Sequence, residues 1–212
     1  MKILVTGGSR GIGKSIVDKF EKNGHSVDFT SSKKMKFESN TKFELLEYDV
    51  LINNAGVNNL SSIENLEDYD EILNTNFICA SKLFKSILPY MKSNNFGRVV
   101  NLGSIWIDFA KEKRFLYSAS KKALHALTEH ITVEYSKFNI LANTVSPGYV
   151  ETEMTYKNNS DTELEIIKSK IPMNRLAKSD EIAELVYYLC INNSYITGQN
   201  IYIDGGYTCS AH

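Results

Sequence analysis

The 212-residue sequence predicts an α/β fold built on one doubly wound, mostly parallel sheet with helices on both faces. Three observations lead there. Apolar runs of strand length alternate with amphipathic helical stretches from one end of the chain to the other. The apolar runs are nearly continuous, as they are in strands buried on both faces. A glycine-rich turn joins the first run to the first helical stretch.

The elements follow in order. KILVT (2–6) reads as a buried strand, GKSIVDKFEKNG (13–24) as a helix closing at Gly24, and SVDFT (26–30) as the second strand. VLINNAG (50–56) is the next strand, followed by a long helix through DYDEILNTNFICASKLFKSILPYMKSN. GRVVNLGS (97–104), a helix containing Tyr117, NILANTVSPG (139–148), a helix over 179–190 and NIYIDGG (200–206) complete the pattern. Without repeats or low-complexity segments, residues 1–212 read as a single domain. Ligands of such sheets sit beyond the carboxyl ends of the strands, so TGGSRGIG, TSSKK, NNAG, GS and SPGYVET should converge on one edge.

Composition narrows the function classes. A formal net charge of −1 gives no electrostatic case for a nucleic-acid or membrane partner. The basic runs Lys33-Lys34 and Lys111 to Arg114 read as solvated faces. Cys79, Cys190 and Cys209 are scattered and odd in number, which argues against a disulfide framework and for a reducing compartment. No metal-ligand spacing appears among them and the four histidines. The apolar run in MKILVTGG is too short for a signal peptide or membrane span, and the cytoplasm is the expected location.

TGGSRGIG (6–13) places glycines at 7, 8, 11 and 13. Glycine admits positive φ and leaves no Cβ between backbone and a diphosphate, while a helix starting here aims free N–H groups at that anion. A tight turn with close helix–strand packing would use the same residues. With NNAG, a serine thirteen residues before YSASK, SPGYVET and ITGQNIYIDGG in this order, the chain resembles the short-chain dehydrogenase/reductase family over nearly its whole length. The resemblance is nearest to 3-oxoacyl-[acyl-carrier-protein] reductases and related carbonyl reductases. It implies a Rossmann-type fold and hydride transfer between a nicotinamide cofactor and a carbonyl or alcohol carbon, favouring reduction of a ketone or aldehyde.

Cofactor choice rests on the end of the second strand, where an acid takes the ribose of NAD and a basic residue accommodates the 2′-phosphate of NADP. Asp28 lies inside that strand, and the end positions are Ser31 and Ser32, then Lys33. With Arg10 in the glycine turn, these predict NADP(H) over NAD(H). The resemblance adds Gly7, Ser9, Gly11, Ile12, Gly13, Asn53, Ala55, Gly56, Pro147, Gly148, Val150 and Thr152 to the cofactor site.

Tyr117 and Lys121 are four residues apart and share a helix face. A phenol of pKa about 10 transfers protons poorly at neutral pH, and a neighbouring ammonium lowers it. By the resemblance Tyr117 is the general acid–base, Lys121 lowers its pKa and binds the nicotinamide ribose, Ser104 aligns the carbonyl, and Asn76 interrupts a helix and holds a relay water. Ser104 as a cap and Asn76 as a helix-surface residue are the plainer readings.

The chain departs from the family between its second strand and NNAG, where the 19 residues 31–49 replace two crossovers. A third strand is expected to be antiparallel to the second, or absent, with 41–48 as a link and the adenine side open. Residues 151–178 match the family's substrate-covering loop, with one or two short helices, and Trp106 and Ile107 are a candidate wall. No arginine cluster announces a phosphorylated or acyl-carrier substrate. A homo-oligomer, dimer or tetramer, is expected from the family. Two rival readings are a non-catalytic NADP sensor or scaffold and a sugar-nucleotide-modifying relative.

Overall fold

Val50–Asn53 (β3), Gly97–Leu102 (β4) and Ile140–Pro147 (β5) are buried at every position. A strand reaches that state only inside a sheet covered on both faces. In the computed structural model, which describes residues 1–31 and 43–210, these three strands join Lys2–Val5 (β1), Ser26–Phe29 (β2) and Asn200–Ile203 (β6) in the order β2-β1-β3-β4-β5-β6. All five pairings are parallel.

Alternation along each strand sends neighbouring side chains to opposite faces. Ile3, Val5, Val50, Ile52 and Val100 pack on one face with Ile16, Val17 and Phe20 of α1 (Gly11–Lys22) and Val186 and Leu189 of α7 (Ser179–Ile191). Leu4, Leu51 and Val99 face the other way, onto Leu83, Ile87 and Met91 of α3 (Cys79–Ser93) and Ile131 of α4 (Phe115–Tyr135). The long helix expected from Tyr69 onward is three pieces: α2 (Tyr69–Leu73), a π-helical turn (Asn74–Ile78) and α3.

Between β2 and β3 the described residues 43–48 carry neither helix nor strand. Leu46 donates its amide to the Ser86 carbonyl of α3 at 3.1 Å, and Phe43 and Tyr48 pack on the α3–α4 face. The segment is thus a link bound to a helix, and among the described residues no strand lies outside β2. Residues 32–42, with Ser32, Lys33 and the stretch where a third strand was expected to be antiparallel or absent, lie outside the described residues.

Sequential strands leave β1 in opposite directions, β2 to one side and β3 to the other, and a cleft opens at such a switch point beyond the strand ends. β5 runs into the segment that carries α5 (Glu153–Lys157) and α6 (Asp161–Lys170). No helix among the described residues is long and apolar enough to cross a membrane.

Candidate active site

The glycine turn sits at that switch point. Gly7 has φ +68°, in the left-handed region, and a Cβ built there would lie 3.0 Å from the Ala55 Cα. A Cβ on Gly13 would stand 2.1 Å from the Gly7 carbonyl oxygen, so the first turn of α1 closes on the loop only because residue 13 is glycine. Arg10 occupies the N-cap of α1 in extended backbone and makes no side-chain cap. The first amides of α1 therefore lack a side-chain acceptor and are available to an anion. A dinucleotide's diphosphate fits this cradle.

Asn54 locks the turn to β3: its Nδ2 donates to the Thr6 and Gly7 carbonyls, both at 3.0 Å. Thr6 Oγ1 accepts from the amides of Asn54 and Ala55 at 3.0 Å each. Asn53 serves elsewhere, since its Nδ2 donates to Asn101 Oδ1 at 2.8 Å inside the sheet. The NNAG motif pointed to this corner without distinguishing its two asparagines. The second one holds the turn.

Ser104, Tyr117, Lys121 and Asn76 arrive from three elements, and two of them, Asn76 and Lys121, meet beside Gly56. An ideal Cβ on Gly56 would lie 3.4 Å from both Asn76 Oδ1 and Lys121 Nζ. Asn76, 1% exposed, sits within the π-helical turn. Its Oδ1 accepts from the Val57 amide at 2.9 Å, and its Nδ2 donates to the Val57 carbonyl and to Ser120 Oγ, both at 3.0 Å. The interrupted helix thus turns a buried amide toward α4. Ser120, which the sequence did not single out, ties Asn76 to α4 by donating to the Tyr117 carbonyl at 2.7 Å.

Ser104 is a cap, the plainer of the two readings the sequence left open. It N-caps the short 3-10 turn Ile105–Ile107, accepting from the Trp106 amide at 3.3 Å. Its hydroxyl is also hydrogen-bonded to the Tyr117 phenol. Burial pushes that phenol above its ordinary range, while the Ser104 hydrogen bond and the Arg114 charge pull it back. Lys121 is bonded to the end of β4. The ammonium donates to the Leu102 carbonyl at 2.6 Å and stands 5.7 Å from the centre of the Tyr117 ring. Burial pushes Lys121 itself down to about 8.

The remaining predicted residues divide. Gly11 approaches Thr152, whose Cγ2 lies 3.4 Å from an ideal Cβ on the glycine. Thr152 also N-caps α5, accepting from the Thr155 amide. Gly148 packs against Asp204, Val150 bridges to Ala177, and Pro147 ends β5 beside Ile203, so these three build the floor of the 151–178 segment. Ile12 packs into the core under α1, and Ser9 is exposed. Ser31 is buried at 8% exposure. Asp28 accepts from the Tyr48 hydroxyl at 2.9 Å on the sheet surface. Arg10 is exposed and paired to Glu153 of α5 at 2.5 Å.

A cavity of about 440 Å³ adjoins this constellation, lined by Trp106, Lys111, Tyr149 and Tyr207 with Glu163 and Ile167 of α6. The ring of Tyr117 packs against the same cluster. Arg114, which stacks on Trp106 5.6 Å from the ring centre, is 6% exposed, against the expectation of a solvated Lys111–Arg114 face. The chain reverses at Lys113, which has φ +61°, and that turn brings Arg114 inward.

Comparison with known proteins agrees with this geometry. A family model described as enoyl-(acyl carrier protein) reductase matches residues 38–208. The 3-oxoacyl-[acyl-carrier-protein] reductase FabG of Buchnera aphidicola is 30% identical, over 96% of this chain and 95% of its own length. The acetoacetyl-CoA reductase of Allochromatium vinosum is 30% identical, over 96% of this chain and 96% of its own length. Among solved structures, a short chain dehydrogenase family protein from Francisella tularensis superposes with a TM-score of 0.85 at 27% identity, covering 99% of both chains. The chain belongs to the short-chain dehydrogenase/reductase family and is an NAD(P)-dependent oxidoreductase.

Proposed function

We propose that this enzyme reduces a ketone to its alcohol with NADPH, using Tyr117 as the proton donor. The observation that carries the reading is the pairing of Ser104 with Tyr117, one helical turn from a buried Lys121 that stands beside Gly56. When bound, a nicotinamide cofactor supplies the hydride. The turn from Gly7 to Gly13 and the first amides of α1 would hold its diphosphate, and Ala55, Gly56, Lys121 and Thr152 border the path toward Tyr117.

Ser104 holds the substrate carbonyl oxygen beside the phenol. Tyr117 gives that oxygen its proton as negative charge develops there, so carbon gains a hydride and oxygen a proton. A phenol kept protonated by burial suits the reducing direction, because it enters the step as an acid. The buried Lys121 ammonium and the hydroxyl of Ser104 then stabilise the phenolate left behind. Residues 151–178 cover the substrate from above the cavity and keep water from it.

Preference for NADPH is supported by Arg10 beside the turn and by the absence of a free acid at the end of β2, where Asp28 is tied to Tyr48. A homo-oligomer in the cytoplasm completes the proposal. Val133 on α4 is 84% exposed, as a face covered by a second copy would be in a single chain. The test is consumption of NADPH and of NADH on a panel of ketones. Faster consumption of NADPH is expected; equal use of NADH would remove the cofactor preference, and no consumption of either would remove the reductase.

A further inference from the structure

A buried primary amide has two protons to place and two lone pairs to fill. Asn76 is 1% exposed in the π-helical turn. Its Oδ1 accepts from the Val57 amide at 2.9 Å, and one Nδ2 proton returns to the Val57 carbonyl at 3.0 Å. That reciprocal pair fixes which end of the amide is oxygen. The second Nδ2 proton goes to Ser120 Oγ at 3.0 Å. Both donors are then used, and the amide keeps one acceptor position, on Oδ1.

Gly56 shows where that position leads. The three heavy atoms nearest to an ideal Cβ on Gly56 are all polar: Asn76 Oδ1 and Lys121 Nζ at 3.4 Å, and the Asn54 carbonyl oxygen at 3.9 Å. Glycine thus leaves a small polar slot between an acceptor and an ammonium. Lys121 gives one proton to the Leu102 carbonyl at 2.6 Å, and no carboxylate forms an ion pair with it among the described residues. Burial brings its pKa down to about 8, so near neutral pH it can both give and take a proton.

Ser120 is fully buried on α4, three residues after Tyr117 and directly before Lys121. Helical serines commonly donate back to a carbonyl one turn earlier, and this one does so to Tyr117 at 2.7 Å. Its second partner serves no need of the helix. With its own proton on the Tyr117 carbonyl, the hydroxyl can only accept from Asn76. It therefore binds the amide of the π-helical turn to α4 at the level of Tyr117 and Lys121.

We propose that Ser120 is a positioning residue for the return of the proton: it holds Asn76 so that Oδ1 and the Lys121 ammonium flank the Gly56 slot, the route by which a solvent proton reaches the Tyr117 phenolate. Each reduction moves the phenol proton to the substrate oxygen, and the phenolate must take one proton from solvent before the next. The role rests on the reading of Tyr117 as the proton donor.

The variant S120A removes the acceptor and puts a stronger helix former in α4, so it should fold, as circular dichroism checks. Its first turnover uses the proton already on Tyr117. Single-turnover oxidation of bound NADPH by a ketone is therefore expected within about twofold of wild type. Steady-state kcat, which needs the proton returned, is expected to fall about tenfold with KM little changed. The solvent deuterium isotope effect on kcat should rise to about 3 in S120A. S120C, with a weak sulfur acceptor in the same place, should fall between the two, and it carries the same comparison if S120A does not fold.

A kcat that falls only in proportion to the single-turnover rate would overturn the role and leave the reductase standing, because a merely structural defect slows both alike. So would a wild-type kcat in S120A. Failure of the wild-type enzyme to reduce any ketone would overturn the reading of Tyr117, and this role with it.

Discussion

Lys121 carries its amine where almost no water reaches it, 3% exposed and bonded to the Leu102 carbonyl. Burial lowers its pKa to about 8 in the folded chain, while in the unfolded chain it titrates near 10.4. Between these values unfolding takes up a proton, so this residue makes stability rise with pH from about 8 to about 10. Below 8 both states are protonated and the cost of burying the charge is present in full. Urea unfolding of the cofactor-free protein at several pH values should show the rise in wild type and lose it in Lys121→Met. Arg10 poses a competition at the same scale. Its exposed pair with Glu153 is worth little, and a 2′-phosphate would have to replace it. Glu153→Gln is expected to tighten NADPH about two- to fivefold and to leave NADH unchanged, as read by fluorescence titration. Equal effects on the two cofactors would place Arg10 away from the 2′-phosphate.

Among the elements, the join between β1 and α1 is the least tolerant. Gly13→Ala would drive a methyl group into the Gly7 carbonyl and the Asn54 amide, 2.1 Å and 2.5 Å from its position. The helix must then back away from the turn, at a cost of about 1–3 kcal/mol. Cofactor affinity should fall at least about tenfold, while circular dichroism reports an intact sheet. This join was legible in the sequence because glycine spacing, a buried strand and an amphipathic helix all state the same geometry. The strand and helix order was legible for the same reason. What stayed hidden was set by contacts distant in the chain. Nothing in NNAG says that Asn53 turns to Asn101 and Asn54 to Gly7. The run from Lys111 to Arg114 has no apolar period, so it reads as solvated. Only the left-handed Lys113 and the Trp106 face reveal that Arg114 is inside.

Over the whole molecule, a parallel order in every described pairing puts all the strand ends that matter on one edge. Residues as far apart as Gly7 and Thr152 therefore border one cleft, and a motif map of the sequence becomes a map of the site. The Tyr117–Lys121 pair shows the limit of that map. Its spacing gave the shared helix face, but the electrostatics depend on burial and on the Ser104 and Arg114 neighbours, which spacing does not contain. The central claim is that the phenol of Tyr117 supplies the proton. Its most direct test is a single turnover of NADPH already bound to the enzyme, mixed with a ketone substrate, in wild type and Tyr117→Phe. The account predicts unchanged NADPH binding and a rate lower by about 10³-fold in the phenylalanine variant. A variant that binds NADPH and reduces the ketone at close to the wild-type rate would contradict it.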